Sequence, residues 1–175
     1  MNLPRELELI KAGDSFKLKQ KVPAQFLSLT SSVLKISEGN AINKSKLPLA
    51  QALVSFDVRE DTRAFTVVLS NSRKETLTIT VTEDQLVIDR NKSGSIDFSA
   101  NFASKPQVMP LKEPIRNVQM IIDQSSIEVM VNGGTQWMSC QLFPQQAYDI
   151  LRLRSTTGKG FANLEIRSVK GIWSK

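Results

Sequence analysis

The 175-residue chain contains no histidine and a single cysteine, Cys140. Without histidine the chain cannot form a Ser-His-Asp triad, an imidazole metal site or a histidine-based pH switch. One cysteine excludes an intramolecular disulfide and a multi-cysteine zinc cluster. With no histidine to activate it, Cys140 is expected to be a small, buried apolar residue of a strand. We therefore expect no metal and no cofactor.

Long apolar runs, aromatic residues and a strong excess of charge are also missing. No run approaches the ~20 residues of a transmembrane helix, so we expect no membrane partner. Aromatic residues make up 6% of the chain, and its net charge is +6. Lys17, Lys19 and Lys21 would share one face of a strand. We interpret them as a solvated face and expect no nucleic-acid partner, because few aromatic side chains lie near them to stack on bases.

What the chain does have is a regular alternation of apolar and polar residues. The apolar residues Leu77, Ile79 and Val81 alternate with threonines, and a similar pattern occurs at Leu7 and Leu9. A period of two predicts half-buried β-strands. Short polar or glycine-rich turns separate the strands at 82–85, 123–126, 132–134 and 157–160. The pattern predicts an all-β fold, a two-sheet antiparallel β-sandwich of the jelly-roll or concanavalin-like kind.

Three segments depart from the alternation. Residues 37–50 are polar, and residues 99–115 contain three prolines, which a central strand does not accommodate. We expect both segments to be loops. The best helical candidate is residues 144–148, which would form at most one turn.

The carboxylates Asp89, Asp97, Asp123 and Glu128 are the only candidates for acid–base chemistry. A glycosidase needs two such groups on either side of the scissile bond. Each also has a structural interpretation. Asp123 would shape a turn, Asp89 and Arg90 would pair at a strand end, and Glu128 would face solvent or an interface. From the residues alone we predict no catalytic group.

Three large aromatic residues could stack on sugar rings, namely Trp137, Tyr148 and Trp173. Sugar-binding modules usually present a platform of such side chains, and here they are few. For Trp137 and Trp173 we favour a role in the core or at an interface. We keep them as candidate sugar-binding residues.

Several strings resemble the C-terminal β-sandwich of glycoside hydrolase family 32, which includes invertases, levanases and inulinases. DRNKSG at 89–94 with DF at 97–98 resembles the family's "D-R-x-x-S-G … D-F" signature. IDQSSIEVMVNGG at 122–134 resembles "D-x-S-S-I-E-V-F-V-N-x-G", with Met130 where the family usually has Phe. PREL at 4–7 resembles the segment that joins the catalytic domain to the sandwich. The residues that match are Pro4, Arg5, Glu6, Leu7, Asp89, Arg90, Ser93, Gly94, Asp97, Phe98, Asp123, Ser126, Glu128, Asn132 and Gly134.

The resemblance implies a chain without catalytic residues of its own. The family's catalytic carboxylates belong to a five-bladed propeller, and their motifs (Asn-Asp-Pro-Asn, Arg-Asp-Pro and Glu-Cys) do not occur in this sequence. It implies a linker at 1–15 that follows an absent propeller, and one sandwich domain at 16–175. The matching residues would then have structural roles, and the main partner would be the propeller of the parent polypeptide.

Two alternatives stay open at this point. The chain could be a fructan-binding module, or an interaction domain that forms oligomers, with the first strand and the 99–115 segment as candidate docking surfaces. The substrate linkage of the parent (levan, inulin or sucrose) is set in the propeller. We expect a secreted or periplasmic parent by analogy with polymer-cleaving relatives, whereas sucrose-phosphate relatives would favour the cytoplasm.

Overall fold

The computed structural model describes residues 4–171, and these fold mainly into antiparallel strands. No helix among them is long and apolar enough to cross a membrane. The elements are a short helix, α1 (Ala24–Ser28), a 3-10 turn (Asn132–Gly134) and fourteen strands. The strands are β1 (Glu6–Ala12), β2 (Ser15–Lys21), β3 (Thr30–Gly39), β4 (Ala41–Lys44), β5 (Ala52–Val58), β6 (Phe65–Ser70), β7 (Thr76–Val81), β8 (Gln85–Lys92), β9 (Gln107–Pro110), β10 (Asn117–Asp123), β11 (Ser126–Val131), β12 (Gln136–Gln141), β13 (Ile150–Ser155) and β14 (Phe161–Val169).

Two six-stranded sheets form the sandwich, which confirms the predicted fold class. Sheet I has the order β12-β11-β10-β5-β14-β3, and sheet II has the order β4-β13-β6-β7-β8-β9. The strand pairs within both sheets are antiparallel. Four predicted turns lie between consecutive strands, at 82–85, 123–126, 132–134 and 157–160. Alternation therefore places one apolar face of each sheet against the other.

The core lies between the sheets. Phe56 and Phe161 of sheet I meet Phe65 of sheet II edge to face, with ring centroids 5.4–6.0 Å apart. The threonine-alternating strand β7 buries Leu77, Ile79 and Val81, as its pattern predicts. Cys140 is also buried, as predicted. Burial raises the pKa of its thiol above the usual value, although Arg90 acts in the opposite direction.

The two predicted loops both contain strands. Strand β3 continues to Gly39 and β4 pairs with β13, so the prediction of a loop at 37–50 was wrong. β9 pairs with β8, so the predicted loop at 99–115 is interrupted by a strand. Both β4 and β9 are four-residue strands at the edges of sheet II. Edge strands tolerate polar residues and proline. Such strands therefore need not show the alternation of apolar and polar residues by which strands are predicted.

The helical candidate at 144–148 was also wrong. That segment is irregular with a bend at Gln145 and Gln146, and the backbone N–H groups of these two residues donate to the carboxylate of Glu75. The five-residue helix α1 follows Pro23 instead. Proline fixes the backbone at a conformation that suits the start of a helix. A helix of five residues is too short to show an amphipathic pattern in the sequence.

Strands β1 and β2 form a separate two-stranded hairpin, with Glu6 opposite Lys21 and Ala12 opposite Ser15. The predicted boundary between a linker at 1–15 and a domain at 16–175 falls inside this hairpin. The division into those two parts stays a prediction. An isolated hairpin is marginally stable in water, so its packing on the sandwich decides whether it is ordered.

Candidate functional site

One face of the β1–β2 hairpin is apolar and exposed to solvent. Leu9 lies directly opposite Leu18, and Leu7 and Phe16 lie diagonally on either side of this pair. Leu7, Leu9 and Phe16 are each about 65% exposed, and Leu18 is 49% exposed. We call these four side chains the hairpin face. Four large apolar residues on one exposed two-stranded surface are unusual and point to an interaction site.

The opposite side of the hairpin, which carries the lysines, is turned toward the sandwich. Lys17 pairs with Glu113 at 3.2 Å, and Lys19 lies beside Gly133 at the 3-10 turn. Both lysines are half-buried. Of the predicted solvated face of Lys17, Lys19 and Lys21, only Lys21 is therefore classed as exposed, and the other two are partly covered by the sandwich. The lysine side of the hairpin thus contacts the sandwich, and its apolar side is exposed to solvent.

Arg5 links the start of the hairpin to sheet I. Its guanidinium lies 4.0 Å from the centroid of the Trp137 ring and donates to Glu128 Oε2 at 3.2 Å. It also donates to Ser139 Oγ at 3.0 Å and to Gln20 Oε1 at 2.7 Å. Trp137 Nε1 donates to the same Glu128 oxygen at 2.8 Å. We call Arg5, Trp137 and Glu128 the latch, because they join the PREL segment to β11 and β12.

The latch rests on a small apolar cluster outside the main core. Leu53, Ile121 and Met130 are buried there, and Trp137 packs against them. Glu128 was expected to face either solvent or an interface. It is only 5% exposed, so it does not face solvent and instead lies at the contact between the hairpin and sheet I. A carboxylate this buried needs charged or polar partners to offset its lost hydration. Arg5 and Trp137 supply them.

The remaining candidate carboxylates have different surroundings. Asp123 accepts a hydrogen bond from the Gln124 N–H at 2.8 Å, within the β10–β11 turn. Asp89 accepts one from the Asn91 N–H at 2.9 Å, whereas Arg90 donates to the carbonyls of Phe102 and Gln141. The expected ion pair between Asp89 and Arg90 is therefore wrong. Asp97 is exposed in the loop after β8.

The three candidate sugar-binding aromatics are not brought together. Trp137 is covered by Arg5, and Tyr148 is 2% exposed with its hydroxyl donating to the Ser93 carbonyl at 2.6 Å. Burial raises the pKa of the Tyr148 hydroxyl above its usual value. Trp173 lies outside the described residues. The sugar-binding role of these residues stays a prediction, and neither described ring forms an exposed platform.

Two glycines of the matched motifs allow close approach of backbone segments. A Cβ on Gly134 would lie 1.7 Å from the Gln20 carbonyl oxygen, so this glycine seats β2 on the 3-10 turn. A Cβ on Gly94 would lie 2.1 Å from the Phe143 carbonyl oxygen. Both residues also have positive φ, at 92° and 138°. Asn132, in the same 3-10 turn as Gly134, accepts a hydrogen bond from the Arg116 N–H and donates one to the Pro114 carbonyl.

A cleft lies at one end of the sandwich, and Phe98, Asp123 and Tyr148 line it, although no sequence pattern predicted the cleft itself. Its volume is about 790 Å³, and the loops after β4, β8, β10 and β12 contribute to it. Phe98 and Phe143 form its aromatic wall with rings 5.2 Å apart. The sequence showed Phe98 only as a motif residue, and no local pattern indicated that these loops converge.

Comparison with known proteins decides the family. The model for the family described as "Glycosyl hydrolases family 32 C terminal" matches residues 17–168. The chain belongs to this family. An extracellular exo-inulinase of Aspergillus niger is 24% identical to the domain over 99% of its length and 35% of the relative's. The levanase of Bacillus subtilis is 29% identical over 97% of the domain and 24% of the levanase.

Solved structures show the same fold. The exo-inulinase of Aspergillus awamori superposes with a TM-score of 0.75 at 21% identity, over 98% of the domain and 36% of that chain. A family 32 glycoside hydrolase of Bifidobacterium adolescentis superposes with a TM-score of 0.73 at 16% identity, over 99% of the domain and 26% of that chain. The domain thus spans between about a quarter and about a third of the length of these four relatives. In such relatives it is one part of a longer polypeptide.

Proposed function

We propose that this domain is the non-catalytic accessory part of a fructan- or sucrose-hydrolysing parent enzyme, and that its hairpin face packs against the catalytic domain. The single observation that carries the proposal is the exposed apolar face formed by Leu7, Leu9, Phe16 and Leu18 on an otherwise well-packed domain. Relatives that the domain matches continue well beyond it, which provides a partner in the same polypeptide.

Covalent linkage makes a surface of this size sufficient. Fully burying one leucine or phenylalanine contributes roughly 1.5–3 kcal/mol. Between separate proteins, part of that is offset by the loss of translational and rotational freedom, so the separated domains associate more weakly and one of them has to be added in excess. A partner in the same chain is already present at high effective concentration, so a small apolar face can hold the two domains together.

The absence of catalytic activity in the domain itself is part of the proposal. The sequence lacks the propeller motifs named above, and three of its four candidate carboxylates make structural contacts. Glu128 is held in the latch, and Asp123 and Asp89 bind backbone N–H groups. We propose that the parent is exported, by analogy with the extracellular exo-inulinase of Aspergillus niger.

The experiment mixes the domain with the catalytic domain of its parent, expressed as a separate protein. The domain alone is expected to release no fructose from sucrose, inulin or levan. Added in excess, it is expected to raise the melting temperature of the catalytic domain, because a ligand of the folded state stabilises that state. Leu9→Ser and Leu18→Ser are each expected to weaken the association about tenfold or more, since a buried leucine contributes at least ~1.5 kcal/mol.

Val33→Ser is the matched control, because Val33 is 47% exposed on β3, away from the hairpin. It should leave the association unchanged. The proposal fails if the two leucine variants bind as tightly as the unmodified domain. If they instead abolish self-association of the domain and leave the catalytic domain unaffected, the face serves a second copy of this chain and the proposal also fails.

A further inference from the structure

The cleft at the end of the sandwich has the features of a ligand site. Its volume of about 790 Å³ falls within the roughly 300–1,000 Å³ of small-molecule sites. Loops from both sheets converge there, on a rigid scaffold, an arrangement that often carries binding function. Phe98, one of its lining residues, is 62% exposed although it is large and apolar.

Neighbouring side chains hold the ring of Phe98 in place. The Phe102 ring lies 4.7 Å from it and the Phe143 ring 5.2 Å from it, centroid to centroid. The Arg90 guanidinium stacks on the Phe102 ring, 3.9 Å from its centroid, and so helps to hold that ring in place. Gly94 lets the loop approach the Phe143 carbonyl, where the Ser95 N–H donates at 2.8 Å. An apolar surface that is already ordered loses little entropy when a ligand covers it.

Polar groups are held beside the aromatic rings of the cleft. Glu75 accepts hydrogen bonds from the backbone N–H groups of Gln145 and Gln146, at 3.1 and 3.3 Å, and so fixes the loop that follows Phe143. Burial alone would raise the pKa of Glu75, but these bonds and one from Asn71 lower it below the usual value. The Gln145 amide lies beside Ser95, with Nε2 donating to its hydroxyl at 3.4 Å. Ser125 and Gln124 extend the polar edge.

The formal charges of the lining residues indicate which class of ligand the cleft can bind. Among the described residues that line it, Asp123 is the one with a formal charge, and it is negative. A phosphate, a sulfate or a nucleotide would find no cation there to offset its lost hydration. A sugar is neutral, with an apolar C–H face that suits the Phe98 ring and hydroxyl groups that suit amides, hydroxyls and a carboxylate. We propose that the cleft binds a neutral oligosaccharide.

The identity of the sugar units rests on the proposed function. A domain attached to a fructan-cleaving enzyme would meet fructosyl chains, so we assign fructo-oligosaccharides as the ligand. The cleft is separate from the hairpin face. It lies at the Ser126 end of β11, whereas the hairpin packs near the turn after Val131, and these ends are about 17 Å apart at ~3.4 Å per residue. The cleft and the hairpin face therefore share no residue.

Calorimetric titration of the domain with inulin-type and levan-type oligosaccharides tests the proposal. Saturable binding is expected, with malto-oligosaccharides as the neutral control that should bind more weakly. Phe98→Ala is expected to weaken binding about tenfold, because aromatic contacts of this kind contribute up to ~1.5 kcal/mol. Phe16→Ala is the matched control, since Phe16 is 65% exposed on the hairpin face and lies outside the cleft.

Each outcome decides the proposal. Binding that falls in Phe98→Ala and persists in Phe16→Ala supports it. No saturable heat with any fructo-oligosaccharide overturns it, as does equal binding by Phe98→Ala and the unmodified domain, or loss of binding in Phe16→Ala alone. None of these results affects the docking of the catalytic domain, which the leucine variants test separately.

Discussion

Glu128→Gln is expected to lower the free energy of unfolding by about 3 kcal/mol, because it removes the buried carboxylate that pairs with the half-buried Arg5. Side-chain exposure is 22% for Arg5 and 7% for Glu128, so water can replace little of what is lost. Trp137 Nε1 would also lose a charged acceptor. Urea denaturation followed by tryptophan fluorescence measures the change. A domain of this size should melt roughly 6–12 °C lower, at ~2–4 °C per kcal/mol.

The control for this variant is Glu60→Gln. Glu60 pairs with Arg116 at 3.3 Å, but its side chain is 88% exposed. An exposed pair contributes less than ~1 kcal/mol, so this variant should be close to the unmodified domain. Equal stability of the two variants would show that the latch does not hold the hairpin to the sandwich.

Gly134→Ala is expected to cost about 3 kcal/mol and to displace the hairpin from the sandwich. The new Cβ would lie 1.7 Å from the Gln20 carbonyl oxygen, so β2 has to move. The backbone at this position has a φ of 92°, which adds strain for any residue with a Cβ. Amide hydrogen exchange should show lost protection in β1 and β2 while the strands of the sandwich stay protected.

Gly13→Ala separates the two contributions to that effect. Gly13 also has a positive φ, of 63°, but a Cβ there would contact nothing within 4 Å. It should therefore cost only about 1 kcal/mol, the strain of the backbone conformation alone. If Gly134→Ala were no more destabilising than Gly13→Ala, the close contact between Gly134 and Gln20 would not position the hairpin.

The sandwich itself could be predicted because its strands alternate cleanly. Leu77, Ile79 and Val81 alternate with threonines, and all three are buried in β7. Edge strands are the exception. Ile42 is the sole residue of β4 that is buried, so a strand with one apolar contact looks like a polar loop in the sequence.

The hairpin shows a second limit of sequence reasoning. Alternation at Leu7, Leu9 and Leu18 correctly predicts strands, but it does not say which face is buried. In a hairpin outside the sandwich, the lysine face turns toward Glu113 and the apolar face stays exposed. A partner in the rest of the parent polypeptide would explain why the apolar face is exposed and the lysine face is turned inward. The exposed face could not be predicted, because the sequence of this domain does not include that partner.

The cleft could not be predicted for a different reason. Phe98, Phe102 and Phe143 lie in irregular segments, where periodicity carries no information. Their contact depends on Gly94, which brings two loops together at the end of the sandwich. Nothing local to any one of these residues indicates the others.

Oxidative side-chain footprinting most directly tests the claim that the hairpin face is covered by the catalytic domain. The domain is labelled by hydroxyl radicals alone and in the presence of the catalytic domain of its parent. We predict that labelling of Leu7, Leu9, Phe16 and Leu18 falls severalfold on addition, while that of exposed Val33 and Val108 is unchanged. Unchanged labelling of the four residues, with the two domains shown to associate, would contradict the account.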